Sequence, residues 1–154
     1  MSVEEHLRTA QVYLSEAYKL YEEGYRADVC GKVWAAVKHA TIALTTRFLG
    51  VSEPKGIPWR EFVREAFERA GLSRDEASYW ASYFIDVRRS LHGDCFYGLY
   101  YEESEHKPLI ERAPQYVNLV AELVKRGSTP SDPSPHPWEA LVGFPSKVTP
   151  GIIV

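Results

Sequence analysis

Asp86, Arg88, Arg89 and His92 fall within seven positions, and Cys95 lies three residues further on. These side chains can do acid–base and anion chemistry. Histidine is the natural base near neutrality because its unperturbed pKa is about 6.5. A guanidinium fork can grip two phosphate oxygens and stabilise charge that develops on them. Arg88 and His92 are four residues apart, so a helix places them on one face, with Arg89 beside it. His92 as base, with Arg88 or Arg89 as the cation, is the minimum set for metal-independent attack of a ribose 2′-hydroxyl on a neighbouring phosphate. Phe96, Tyr97, Tyr100 and Tyr101 follow at once. Bases stack on such rings. Lys32, Lys38 and His39, further back in the chain, could extend the positive patch.

The same residues also read as an ordinary helix end. Arginines in a last turn complement the negative pole of a helix, and a histidine there can cap a carbonyl. Asp86 is spaced to pair with Arg89, three residues on. Loop aromatics often plug a core or a subunit seam. Lysines on one helix face are often just solvated. Other chemistries find no footing. The chain lacks a glycine-rich phosphate loop, Gly-x-Ser-x-Gly and His-Glu-x-x-His. Its five histidines are scattered, and Glu103, Glu105 and His106 read as an exposed loop cluster. No metal site and no cofactor are expected.

The elements that must position these residues are helices. Ser2 and Glu5 form a capping box, and Leu7, Ala10, Leu14, Ala17 and Tyr21 recur at steps of three and four. That pattern predicts a helix over 3–23, closed by Gly24. A second helix over 26–49 carries Val29, Val33, Val37, Ala40 and Leu44, and the short turn between the two makes them antiparallel. Pro58 opens a third helix over 58–70. Ser73 and Glu76 form another capping box, which starts a fourth helix that Gly93 should stop. A fifth helix over 105–127 should kink or start late because of Pro114. The expectation is an all-α, up-and-down bundle of about five helices over 1–127. It is followed by an extended, Pro-rich C-terminal tail over 128–154, whose apolar residues predict docking on the bundle or on a partner subunit.

Composition sets the frame. With 154 residues the chain reads as one domain, and its net charge of −3 argues against a broadly basic nucleic-acid surface, though not a local patch. The N-terminal stretch lacks the apolar core of a signal peptide, and no apolar run nears the ~20 residues of a membrane span. A cytoplasmic protein without membrane contact is expected. Cys30 and Cys95 are then expected to be independent thiols; a bridge is the alternative for a hyperthermophile.

Two stretches carry a resemblance. "GKVWAAVKHATIAL" begins at Gly31 in the second helix, and "RRSLHGDCFYG" begins at Arg88 at the end of the fourth. In this order the chain resembles the HEPN superfamily and, within it, the archaeal PaREP family, over about residues 3–126. The resemblance implies a helical bundle that usually dimerises. Many HEPN proteins are metal-independent ribonucleases with an arginine followed by a histidine after about four to six intervening residues. Others are nucleotide-binding accessories of nucleotidyltransferases. His92 matches the family histidine, but only three residues separate it from Arg88, and the position after that arginine is another arginine. The reading is therefore a non-catalytic module that binds a nucleotide, RNA or a protein partner. The binding set is Arg88, Arg89, His92, Lys32 and Tyr97; Lys32 and Trp34 enter through the resemblance. A homodimer is expected, with a nucleotidyltransferase-type partner in view. A ribonuclease using His92 with Arg88 or Arg89 is the alternative, and a ligand-free dimerising scaffold the third reading.

Overall fold

The computed structural model describes residues 1–127. The tail at 128–154, and the docking expected of it, lie outside the described residues.

The first helix, α1 (Val3–Glu23), starts as its capping box requires. The Ser2 hydroxyl accepts from the Glu5 N–H at 3.1 Å, and the Glu5 carboxylate accepts from the Ser2 N–H at 2.7 Å. Gly24 closes α1 in the left-handed region, φ 89°, and the Tyr25 N–H reaches back to the Leu20 carbonyl at 3.1 Å. This tight reversal sends α2 (Arg26–Leu49) back along α1. α2 is the hub of the fold, packing against every other helix but α4 at length. Its Val29, Val33, Ala36, Val37, Ala40 and Leu44 are essentially fully buried, and the small residues among them let neighbouring helices approach closely.

α3 (Trp59–Arg69) and α4 (Arg74–Asp86) form a short hairpin, of which α3 packs on α2. Ser73 caps α4 with Glu76, as the sequence predicts. α5 (Glu103–Gly127) returns along α2. The result is an all-α, up-and-down bundle, with no strand among the described residues. Phe67, Phe84, Leu91 and Tyr116 fill its centre, each such side chain contributing about 1.5–3 kcal/mol of burial.

Five expectations are corrected. Gly93 does not stop the fourth helix. The chain leaves α4 directly into a π-helical segment, Val87–Tyr97, which runs through Gly93 and carries Phe96 and Tyr97 on it rather than on a loop. The Gly93 carbonyl finds a partner five residues on, the Gly98 N–H at 2.9 Å. This wide ladder ends where only glycine fits, because a Cβ on Gly98 would sit 2.5 Å from the Asp94 carbonyl oxygen. Second, Cys30 and Cys95 are bonded to each other, with Cα atoms 6.1 Å apart. The sequence hides this because 65 positions separate them, while the fold lays the π-segment along the first turns of α2. Closing a loop of that length stabilises by about 4 kcal/mol in the chain-entropy picture. Third, α5 starts at Glu103 and holds both Pro108 and Pro114 inside it. Beside the ladder bond that Pro114 removes, the Tyr83 hydroxyl donates to the Leu109 carbonyl at 2.6 Å. Fourth, His106 is not in an exposed cluster: it is fully buried in α5, and its Nδ1 accepts from the Glu102 N–H at 2.9 Å. Fifth, no ion pair joins Asp86 to Arg89 among the described residues.

Candidate functional site

α2 and the π-segment bring the two distinctive sequence stretches together. Gly31 lies under Phe96, so closely that a Cβ would meet the ring at 2.7 Å. One turn on, Trp34 stacks against His92, with ring centroids 4.9 Å apart and planes inclined by 29°. Phe96 lies nearly parallel to His92 at 6.3 Å, and Tyr97 meets its edge at 4.9 Å. Trp59 of α3 continues the aromatic surface, and the fully buried Phe84 of α4 backs it, lying 5.7 Å from Trp34 and 5.5 Å from Trp59. A ledge of rings therefore crosses three helices and the π-segment. Tyr97 stands out from it, 71% exposed.

Cations line this ledge. The Lys38 ammonium lies 4.7 Å from the ring centre of Trp59 and 5.5 Å from that of Trp34. Such a cation is held by the electron-rich ring faces. Partial burial lowers its pKa, Arg88 lowers it further by like charge, and Glu53 opposes both. Arg88 is half-buried on the π-segment, and Arg89 is exposed. Neither arginine, nor Lys38, makes an ion pair among the described residues.

His92 is a neutral ring at neutral pH. Desolvation pulls its pKa below the ordinary histidine value, and the Lys38 charge adds to this. Its Nδ1 is buried with no hydrogen-bond partner. Either tautomer leaves that atom unsatisfied, as a donor or as an acceptor, at a cost of about 1–3 kcal/mol, so it does not choose between them. A general base acting through Nε2 would need its proton on Nδ1, held there by an acceptor. No such acceptor is present among the described residues.

Of the residues singled out in the sequence, His92 and Tyr97 meet at this ledge, Arg88 is near enough for its charge to act on Lys38, and Arg89 is exposed. Lys32 does not join them. Its ammonium pairs with Glu16 of α1 at 2.8 Å and lies 5.0 Å from the Tyr13 ring centre. His39 also faces α1, its Nδ1 2.8 Å from that of His6. Lys38, read only as part of a general patch, is the α2 cation that belongs to the site. Trp59 and Phe84 were legible only as core positions of their helices. Nothing in their spacing signals that both border the α2 ledge. Of the other two aromatics, Tyr101 stacks on His106 at 5.5 Å, and Tyr100 is half-exposed at the same end of the bundle.

Two concavities lie elsewhere. One, small and apolar, is set among Leu14, Tyr21, Val33, Ile110 and Pro114. The other, open and about 470 Å³, is lined by Met1, His6, Ile42, Thr46 and Glu53. Neither is the cleft expected at Arg88 and His92. No cluster of three or more metal-ligating side chains occurs among the described residues, and no helix among them is long and apolar enough to cross a membrane. No family model, curated protein or solved structure matches the chain.

Proposed function

We propose that the chain is a HEPN-like, non-catalytic binding module that takes a nucleotide or a short single-stranded RNA segment on the ledge of Trp34, Lys38, Trp59, Arg88, His92 and Tyr97. One observation carries this reading: the two stretches that resemble the HEPN and PaREP families meet in space, Gly31 on Phe96 and Trp34 on His92. The chemistry at the meeting point suits the ligand. Exposed Tyr97 offers a stacking platform for a base. Lys38 and Arg88 supply positive charge that no ion pair among the described residues neutralises, with only Glu53 acting on Lys38 from a distance, which suits phosphate. The neutral His92 ring adds a polar group. The unsupported Nδ1 favours binding over cleavage. A homodimer and a nucleotidyltransferase-type partner follow from the family resemblance alone and belong to this proposal.

The test is a fluorescence-anisotropy titration of a labelled 12-nucleotide single-stranded RNA, beside an ATP titration, with chelator present and RNA integrity followed on a gel. The proposal expects binding by the wild type, a loss of about tenfold or more in Arg88→Ala, which is about 1.4 kcal/mol, and intact RNA. RNA cleavage that disappears in His92→Ala would replace this reading with the ribonuclease. Binding of neither probe would defeat it and favour the ligand-free scaffold.

A further inference from the structure

We infer that the Cys30–Cys95 disulfide is a redox clasp for this ledge: reducing it by two electrons releases the π-segment and unmakes the site while the rest of the bundle stays folded. The ligand consequence rests on the binding function proposed above; the local release does not.

Placement carries the argument. Each cysteine sits one residue from a contact that builds the ledge. Cys30 precedes Gly31, and Cys95 precedes Phe96, whose ring lies on Gly31. His92, stacked on Trp34, is three residues before Cys95. The bond therefore ties α2 to the π-segment at the same level as the rings that shape the site. Both sulfurs are fully buried, and the Cys95 Sγ lies 3.7 Å from the Arg26 carbonyl. Two thiols in contact need more room than one bonded pair. In a fully packed place that room comes from moving the less anchored element.

The π-segment is that element. Single π turns are uncommon, and an 11-residue run of i→i+5 bonding needs outside support. Val87, Leu91 and Cys95 are its only buried residues. Past Cys95, residues Tyr97–Tyr100 are exposed, and Leu99 holds a left-handed φ of 54°, which costs about 1 kcal/mol or more for a residue with a branched side chain. α2, in contrast, is packed on several sides and buries ten of its residues. When the clasp opens, a dithiol reductant gives up two electrons and two protons and leaves as its own disulfide. Cys30 and Cys95 become thiols, and the 87–98 backbone is free to move away from α2. Phe96 then leaves Gly31, and His92 leaves Trp34.

The test compares oxidised and dithiol-reduced full-length protein, with free thiols counted in a quenched aliquot. Amide exchange is read helix by helix, and the same 12-nucleotide RNA is titrated. The clasp expects protection over 87–98 to fall at least a hundredfold more than in α1, the second half of α2, and α5. It also expects at least a tenfold loss of RNA affinity. A Cys30→Ala/Cys95→Ala variant should reproduce the reduced pattern without reductant. Uniform loss of protection in all helices, or global unfolding, would make the bond a general staple and overturn the clasp. So would unchanged protection over 87–98 with two thiols counted. If the oxidised protein binds no RNA, the proposed ligand fails while the exchange data still decide the clasp.

Discussion

The imidazole of His92 lies 4.9 Å from the indole of Trp34, stacked across the seam between α2 and the π-segment. This pair makes the state of the site observable. A protonated imidazole in contact with an indole quenches its fluorescence. Desolvation and Lys38 both hold the His92 pKa below 6.5. The difference in emission between wild type and Trp34→Phe should therefore titrate with a midpoint below pH 6.5. His92→Gln should remove that transition. A midpoint at or above 6.5 would mean that the ring is solvated or paired with an acid, contrary to the geometry described.

Gly31 tests how tightly the two stretches are joined. Alanine in a helix is normally better than glycine by about 1 kcal/mol. Here its Cβ would meet the Phe96 ring at 2.7 and 2.8 Å, so the ring must give way. Gly31→Ala should destabilise by about 1–3 kcal/mol, as overpacking does. In a Phe96→Ala background the same change should become neutral or stabilising. Urea unfolding of the four proteins gives the coupling, and equal effects in both backgrounds would show that Phe96 is not seated on Gly31.

Most of the bundle could be read from the sequence, for local reasons. The capping boxes at Ser2 and Ser73 and the glycines at 24 and 50 act within a turn of their own position, and the structure places helix ends at each of them. What was not legible depends on distant partners. Gly93 looks like a stop because local rules allow one; the π-segment runs on because α2 and Cys30 hold its far side. Lys32 and Lys38 both look like surface cations. Which one joins Arg88 depends on the face of α2 that meets α1, and Glu16 of α1 takes Lys32. Trp59 reaches the ledge only through the path of the α2–α3 loop, which leaves no periodic trace in the sequence.

A buried hydroxyl pair in the core should show an asymmetry. Thr41 Oγ1 donates to the Val37 carbonyl at 2.7 Å, so in its 2.6 Å bond with Tyr116 the tyrosine is the donor. Burial holds the Tyr116 hydroxyl protonated, far above the ordinary phenol value. Tyr116→Phe removes the donor and leaves Thr41 bonded to its own helix, at a cost of about 1 kcal/mol. Thr41→Val strands a fully buried phenol O–H and should cost more, about 2–3 kcal/mol. Thermal or urea unfolding ranks the two, and the reverse order would mean that the phenol has another acceptor.

The His6–His39 pair joins α1 to α2 and should make stability depend on pH. Their Nδ1 atoms lie 2.8 Å apart, so one ring donates and the other accepts. The pair can share one added proton but cannot hold two, since two N–H groups would then face each other. Desolvation is the main cause that lowers both pKa values, helped by the N-terminus at His6 and by His6 and Lys38 at His39; Glu5 opposes it at His6. Tyr13 stacks on His39 at 5.7 Å and brings no carboxylate to the contact. With folded pKa values below the unfolded value of about 6.5, the unfolded chain binds more protons as pH falls. The contribution is thus complete above pH 6.5 and is lost as pH drops through the folded values. His92 shifts in the same direction and adds to the slope. Urea midpoints should therefore fall between pH 7.5 and pH 5, before most carboxylates titrate. The His6→Gln/His39→Gln variant should show a flatter fall over the same range, with His92 supplying the remainder. An equal slope in the two proteins would mean that the imidazoles separate and hydrate independently in solution.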